Sequence, residues 1–314
     1  MESTRLDYID IVKGICIILV VFFHFPYIST LPNFSTWGGY VTTFYMPLFF
    51  VMSGLFFKPQ NIMYKVKRLM IPYISFYVAA YAMYVLKCIV IHEEIDWLNF
   101  FFPFCGKTIN YQNTPIWFLL VLAEIEVISY YICTKYSKSY GIICSFFCGC
   151  LGYLLGKVVN MPYYIDVALV NLLFFLLAYY YRCYILNINW IYGIILIIVS
   201  VITYLANPGI TNVSQNYIPM GYLLFIVVSV TASLGFVGVT KLITGIGGKV
   251  IAFVGKNSLI IMCTHMMLMA IPSFLVGYMQ NLYYALFLGL LIILLIEIPI
   301  ILLINRYFNF MLGK

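Results

Sequence analysis

The sequence predicts an all-α, polytopic integral membrane protein with about ten transmembrane helices and with both termini in the cytoplasm. Of the 314 residues, 64% are hydrophobic and 9% are charged, and the mean hydropathy is +1.03, whereas soluble domains are about half apolar and a quarter charged. Apolar runs long enough to cross a bilayer follow one another along the whole chain. Lysine and arginine collect in alternate loops between these runs. These three observations predict the fold class.

The apolar runs account for nearly all of the chain, so residues 1–314 are predicted to form one transmembrane domain. A hydrocarbon core of about 30 Å needs about 20 apolar residues in a helix. Runs of this kind lie near residues 8–28, 38–57, 70–91, 114–133, 140–157, 164–181, 188–205, 218–239, 257–276 and 282–305. The first run is too long and too charged for a cleaved signal peptide, and we expect a retained helix.

Three shorter features of the chain complete this prediction. The loop 92–113 contains the apolar stretch Phe100–Phe104, which is too short to span and is expected to be re-entrant or to lie at the interface. The segment Gly245–Lys249 lacks a phosphate-loop ending, and we expect a surface segment along the inner leaflet. The nine cysteines lie mainly in apolar runs, and they are interpreted as small hydrophobic residues, with no metal site.

The distribution of basic residues predicts the orientation, because basic residues flank membrane helices mainly on the cytoplasmic side. The predicted inside loops carry Arg5, Lys58, Lys65, Lys67, Arg68, Lys135, Lys138, Arg182, Lys241, Lys249, Arg306 and Lys314. The outside loops carry Lys87, Lys107 and Lys157. The net charge of +7 belongs to these loops, and no nucleic-acid partner is expected.

The opening run carries three polar residues that are costly in lipid, Asp10, Lys13 and His24. Lys13 and His24 are separated by roughly 16 Å along a helix and by about 1100° of rotation, so both side chains point to nearly the same face. Asp10 can pair with Lys13 one turn away. Polar groups at such depth indicate a functional stripe, and the alternative for His24 is a hydrogen bond to a neighbouring helix.

Further polar residues lie in the later runs. Glu124 and Glu126 are two apart and point to different faces, and we select Glu124 as the deeper one. A buried carboxyl group of this kind should be protonated, paired with a base such as His, or hydrated. Glu297 is a weaker candidate of the same kind, and Asp166 is expected at the interface, satisfied by water.

The start of the ninth predicted run combines a helix cap with a cation. Lys256, Asn257 and Ser258 are expected to begin the helix that carries His265, and a helix N-terminus attracts phosphate. For His265, a catalytic or orienting role and a structural role both stay open.

The opening segment Ile9–Ile15, together with His24, resembles the signature of the acyltransferase-3 membrane enzymes. Most members have Arg at the position of Lys13, and the branch that resembles fucose 4-O-acetylases has Lys there. Further similar motifs are Tyr45–Gly54, Lys65–Tyr73, Pro115–Leu119 and Gly255–Leu259 followed by His265. One difference concerns Tyr45, since many members of the branch have His there. A tyrosine can replace the hydrogen bonds of a histidine but not its proton transfer near neutral pH.

This resemblance implies an O-acyltransferase. An acyl group would pass from cytoplasmic acetyl-CoA, or another acyl-CoA, to a sugar hydroxyl of a cell-surface polysaccharide or of its lipid-linked precursor. His24 would be the general base or would carry the acyl group itself, with Glu124 and His265 as further catalytic residues.

The same resemblance implies binding residues. The CoA would be held by Lys13, Lys65, Arg68, Lys256, Asn257 and Ser258. The substrate would be held by Asp10, Ser53 and Trp117. Each has a simpler alternative: an ion pair for Asp10 and Lys13, a topology signal for the basic loop, helix packing beside Ser53, and an interfacial anchor for Trp117.

The expected location is the cell membrane, in a bacterium the inner membrane, and the expected partners include membrane lipid and a second copy of the chain. Two other function classes stay open at this point. One is a transporter or flippase for an envelope precursor or an acyl group, and the other is a subunit of an envelope-assembly complex without chemistry of its own.

Overall fold

A computed structural model describes residues 7–105, 113–159, 161–279 and 281–313. Within these ranges the chain is helical without an extended strand, which confirms the all-α prediction. The α-helices are α1 (Asp7–Phe23), α2 (Phe34–Leu55), α3 (Ile62–Ile91), α4 (Trp117–Lys135), α5 (Lys138–Val158), α6 (Ile165–Tyr180), α7 (Arg182–Leu186), α8 (Trp190–Leu205), α9 (Tyr222–Val239), α10 (Gly245–Lys256), α11 (Ser258–Thr264), α12 (Ala270–Tyr278) and α13 (Leu282–Tyr307).

Short 3-10 segments connect several of these helices. They are Ile28–Thr30, Trp97–Cys105, Thr114–Ile116, Pro162–Tyr164, Val213–Gln215, Thr240–Leu242, His265–Leu268 and Asn309–Leu312. The second of them contains the whole apolar stretch predicted to be re-entrant. It contacts the middle of α3, where Tyr77 donates to the carbonyls of Asn99 and Phe100 at 3.0 and 3.2 Å.

Six helical segments are long and apolar enough to cross a membrane, namely Ile62–Ile91, Thr114–Lys135, Lys138–Val158, Pro162–Tyr180, Tyr222–Leu242 and Leu282–Tyr307. A seventh results if the pair Gly245–Lys256 and Ser258–Leu268, bent by 63°, counts as one span. The chain is thus a multi-pass membrane protein. Every predicted run contains a helix, but the count of about ten spans is not confirmed. The orientation stays a prediction, and Arg5, Lys107 and Lys314 lie outside the described residues.

Two predicted runs differ from the observed helices because of proline. The first was expected to reach residue 28, but α1 ends at Phe23, since Pro26 has no amide hydrogen for the next helical bond. The run 257–276 was expected to be one helix. It is broken after Thr264, which leaves Pro272 in the first turn of α12, where a proline is tolerated. Both breaks place a histidine directly after a helix.

The packing is centred on α2, which contacts α1, α6 and α9. Helix α10 lies along α1, and two glycines allow this approach. A methyl group on Gly255 would overlap the backbone carbonyl of Asp10, and one on Gly14 would overlap the carbonyl of Ile251. The segment expected along the inner leaflet forms the first turn of α10, and its position relative to the membrane stays a prediction.

Candidate functional site

The two breaks bring His24 and His265 together. Their ring centroids are 5.2 Å apart, and the planes meet at 65°. His265 is fully buried, whereas His24 is partly exposed. The structure thereby joins two of the three residues that the sequence suggested for catalysis, although 240 residues of chain separate them.

Both imidazoles make the same local hydrogen bond. The Nδ1 of His24 lies 2.7 Å from the Val20 carbonyl, and the Nδ1 of His265 lies 2.7 Å from the Ile261 carbonyl. A carbonyl oxygen only accepts, so each Nδ1 carries the proton and donates it. Each Nε2 then retains its lone pair, which is the form a general base requires. Among the described residues, the buried Nε2 of His265 has no hydrogen-bond partner.

His24 lines a cavity of about 450 Å³. Its walls come from the end of α1, the stretch of α2 from Phe34 to Phe49, the start of α4, the loop between α8 and α9, and Met262 of α11. Polar contributions include Thr42, Trp117, Thr211 and Gln215. A cavity of this size, with a few convergent polar groups beside a histidine, fits a small-molecule site.

The loop that closes this cavity is tied to α2. The Thr211 amide donates to the Thr42 hydroxyl at 3.3 Å, and the hydroxyls of Thr211 and Thr43 are 3.1 Å apart. Asn212 and Tyr217 exchange two backbone hydrogen bonds at 2.9 and 3.0 Å, which pins the tip of the loop. The wall opposite His24 is thus held in place by hydrogen bonds.

Tyr45 also lines the cavity, where its ring stacks on Phe23 at 6.0 Å between centroids. This is the position at which the resemblance to the fucose 4-O-acetylase branch fails in sequence. The Tyr45 phenol thus lies on the wall of the same cavity as His24.

The opposite end of α1 carries the cations. We call it the lysine end, defined by Lys13, Phe56 and Arg182, and we call the end with His24, Trp117 and the loop 206–221 the histidine end. The Lys13 ammonium is 5.7 Å from the centre of the Phe56 ring, and the Arg182 guanidinium is 5.3 Å from the same ring. In the sequence, Arg182 indicates only topology, because no local spacing links it to Lys13.

Lys13 and His24 both face α2. Phe56 directly follows that helix, and Tyr45 beside His24 belongs to it. The spacing of the two residues therefore places them at the two ends of one helix pair. Asp10 is buried in α1 with its carbonyl against Gly255, and it is not among the residues that line the cavity.

Side chains of the basic loop before α3 contact residues nearby in sequence and interact with a carboxylate of α4. The Lys65 ammonium donates to the Lys58 carbonyl and lies 4.1 Å from the centre of the Phe57 ring. Lys65 and Arg68 also interact with the charge of Glu126. Glu126 is thus the carboxylate that faces the basic loop.

Glu124 is placed away from the histidines. It is not among the residues lining their cavity, and its charge interacts with that of Asp166. Among the described residues Glu124 is therefore not paired with a catalytic histidine, which was one of its three expected states beside protonation and hydration. The expectation that water satisfies Asp166 is wrong, because this side chain is buried and accepts a hydrogen bond from the Asn216 amide at 2.9 Å. Its position at the membrane interface stays a prediction.

The predicted helix cap at Asn257 is wrong, whereas the binding of a CoA phosphate at this junction stays a prediction. The Asn257 amide donates to the Phe253 carbonyl at 2.9 Å, and its oxygen accepts from Asn305 at 3.1 Å. The side chain thus closes the end of α10 and contacts α13, and it does not cap α11. Lys256 and Ser258 flank this junction as the last residue of α10 and the first of α11.

Ser53 and Trp117 have different surroundings. The Ser53 hydroxyl donates to the Phe49 carbonyl one turn earlier, and a methyl on the neighbouring Gly54 would overlap the Phe175 carbonyl. This supports close helix packing at that position. Trp117 begins α4 and forms part of the cavity wall.

A buried carboxyl group lies next to the histidine pair. Glu297 of α13 is 1% exposed, and the Thr264 hydroxyl, one residue before His265, lies 2.9 Å from both of its oxygens. The sequence singled out Glu297 only weakly, since its partner is distant along the chain.

Comparison with known proteins gives one match. The model of acyltransferase family 3, described as an acyltransferase domain, matches residues 6–309, nearly the whole chain. No curated protein and no solved structure matches the chain.

Proposed function

The chain belongs to acyltransferase family 3, and from this membership we propose a membrane-embedded O-acyltransferase that uses cytoplasmic acyl-CoA and acts on a hydroxyl of a surface glycan or its lipid-linked precursor. Family membership makes the chain an acyltransferase and favours the enzyme over a transporter or a scaffold. The similarity to the fucose 4-O-acetylase branch supports acetyl as the group transferred. The proposed location is the bacterial inner membrane.

The observation that carries this proposal is the hydrogen bond from His24 Nδ1 to the Val20 carbonyl. It leaves Nε2 as a base on the wall of the cavity. In the reaction, the alcohol oxygen bonds to the thioester carbonyl carbon while Nε2 takes the hydroxyl proton. The carbon–sulfur bond then breaks, and the CoA sulfur leaves with a proton. Direct transfer and transient acylation of His24 both fit this geometry.

His265 acts on His24 from the buried side. When His24 has taken a proton, both of its nitrogens are donors. In this proposal His265 stabilises the charged His24, because the two rings are in contact and the lone pair of His265 Nε2 has no hydrogen-bond partner among the described residues. His265 is thus a positioning residue in this scheme.

The CoA phosphates are proposed to bind at the lysine end. Lys13 and Arg182 flank Phe56 there, and guanidinium groups bind phosphate bidentately. The CoA arm would extend along α1 toward His24, over roughly 16 Å. Lys65 and Arg68 are further candidates, partly neutralised by Glu126.

The test replaces His24 with Ala or Gln in cells that make the protein. We expect acetylation of surface glycans to fall by about 100-fold or more, the usual effect of losing a general base. Mass spectrometry detects this as the loss of about 42 Da per modified sugar. The control is His92→Asn, since His92 is an exposed residue after α3 with a left-handed backbone that Asn tolerates. Undiminished acetylation in a well-expressed His24→Ala protein would contradict the proposal.

A further inference from the structure

A second cavity adjoins the one that His24 lines. It has a volume of about 510 Å³, and it shares Thr114, Trp117, Ser214 and Gln215 with the first cavity. Trp117 and the pinned loop thus form a common wall between two spaces of similar size. Only one of the two spaces has a histidine on its wall.

The second cavity is lined by groups that suit a sugar. Tyr164, Tyr217 and Trp117 offer ring faces, and the rings of Trp117 and Tyr164 are 5.9 Å apart. Aromatic faces pack against the apolar C–H faces of a sugar, while the sugar hydroxyls need polar partners in the site. Asp166 and Gln215 supply such partners.

Asp166 is held in a fixed position. It is 6% exposed, and the Asn216 amide donates to its Oδ2 at 2.9 Å and to the Gly152 carbonyl at 2.9 Å. One carboxyl oxygen is thus held by the protein, and the group still lines the cavity. A carboxylate can accept several hydrogen bonds, so it can also accept from sugar hydroxyls.

The backbone around this cavity is strained. Tyr163, Tyr164 and Asn216 have φ values of 60°, 62° and 51°. Left-handed conformations are costly for tyrosine and persist where the surrounding structure requires them, commonly at binding sites. Tyr164 lines the cavity itself, and Asn216 lies between two lining residues, Gln215 and Tyr217.

We propose that the second cavity binds the sugar that precedes or follows the acylated one. The acceptor is then a glycan of at least two sugar residues, with hydroxyls that donate to Asp166 and a face that packs on Tyr164. This rests on the proposed function, since it places the reacting sugar in the cavity of His24.

The test measures acyl transfer from acetyl-CoA by the purified full-length protein. The acceptors are fragments of one, two and three sugars, prepared from the deacetylated surface glycan of cells that make the protein. For the wild type we expect kcat/KM to rise about tenfold or more from one sugar to two, since about 1.4 kcal/mol of added binding corresponds to a factor of ten.

The diagnostic variant is Tyr164→Ala, with Tyr163→Ala as its matched control. Tyr163 has the same left-handed backbone and is 39% exposed, but it does not line the cavity. We expect Tyr164→Ala to remove the preference for two sugars, since it removes an aromatic contact to the second sugar. The one-sugar rate should stay within about twofold, since Tyr164 is not among the described residues that line the cavity of His24, and its ring contacts Trp117 in the wall that the two cavities share. Tyr163→Ala should keep the preference. Asp166→Asn, which keeps the size of the side chain, is expected to weaken the preference as well.

Three outcomes overturn the inference in distinguishable ways. Equal use of one and two sugars by the wild type leaves the proposed function intact and removes the second sugar site. An equal loss for both acceptors in Tyr164→Ala, with an unchanged ratio, also removes it. If no fragment of any length is acylated, the proposed function is itself wrong and the inference falls with it.

Discussion

At the scale of single residues, Thr264 joins the segment that carries His265 to the buried carboxyl group of Glu297. The Thr264 hydroxyl lies 2.8 Å from the Ile260 carbonyl and 2.9 Å from both oxygens of Glu297. A hydroxyl has one proton to donate. All partners are satisfied when Glu297 carries a proton and donates it to Thr264, which donates its own to Ile260. The arrangement fixes the residue directly before His265.

This arrangement predicts an asymmetry between two variants. Thr264→Val leaves a buried carboxyl group without a partner, and we expect it to lower the free energy of unfolding by about 1–3 kcal/mol. Glu297→Gln retains a donor for Thr264, so it should be nearly neutral. Thermal unfolding of the detergent-solubilised protein measures both. Equal destabilisation by the two variants would show that Glu297 does not act as a donor.

Polar residues deep in apolar runs could be identified from the sequence as candidates for the site. His24 and His265 stood out as imidazoles in apolar runs, and the structure brings them together. Glu124 was selected by the same argument, but it lies near Asp166. The position of a polar group deep in an apolar run indicates that it needs a partner, but it does not indicate which neighbouring helix supplies that partner.

At the scale of elements, the crossing of α1 and α10 positions both ends of the candidate site. Gly255 lies against the Asp10 carbonyl, and Gly14 lies against the Ile251 carbonyl. Helix α10 is followed directly by α11, which carries the chain to His265. The distance between two helix backbones at one crossing therefore affects where the second imidazole lies.

We expect Gly255→Ala to disturb this crossing. The added methyl group meets backbone atoms that cannot rotate away, so the helices must separate, at a cost of about 1–3 kcal/mol. Both thermal stability and acetyl transfer should fall.

The matched control is Gly247→Ala in the same helix, where a methyl group meets nothing within 4 Å. Because Ala is the better helix former by up to about 1 kcal/mol, this variant should be neutral or more stable. A Gly255→Ala protein as active as Gly247→Ala would mean that the crossing does not position His265.

At the scale of the whole molecule, the bundle has chemically different ends. The lysine end holds Lys13 and Arg182 around Phe56, and Lys241 there donates to the carbonyls of Leu186 and Ile188. The histidine end holds the two cavities. The proposed reaction requires the lysine end to face the cytoplasm, because that end is proposed to bind CoA and the acyl-CoA donor is cytoplasmic.

Reporter insertions test this orientation. GFP, which fluoresces only when folded in the cytoplasm, should report from the loop 58–61, and alkaline phosphatase, active only outside, should report from the loop 206–209. The physical reason is the concentration of basic residues around the first loop, which holds it inside. If both loops gave the same reporter signal, the alternation of spans and the transmembrane path between the two ends would be wrong.

The sequence by itself determined the membrane class and the placement of Lys13 and His24 on nearly the same face of one helix. Hydropathy and helical rotation are local properties of a continuous chain. It also carried the family motifs. Only the tertiary structure decided that His24 meets His265, that Arg182 joins Lys13, that Glu297 meets Thr264 and that a second cavity adjoins the first. These contacts depend on which faces of distant helices pack together. In an apolar chain most helix faces are similarly hydrophobic, so hydrophobic periodicity does not specify which faces pack together. Close approaches of two backbones, such as that of Gly255 to Asp10, do specify the packing.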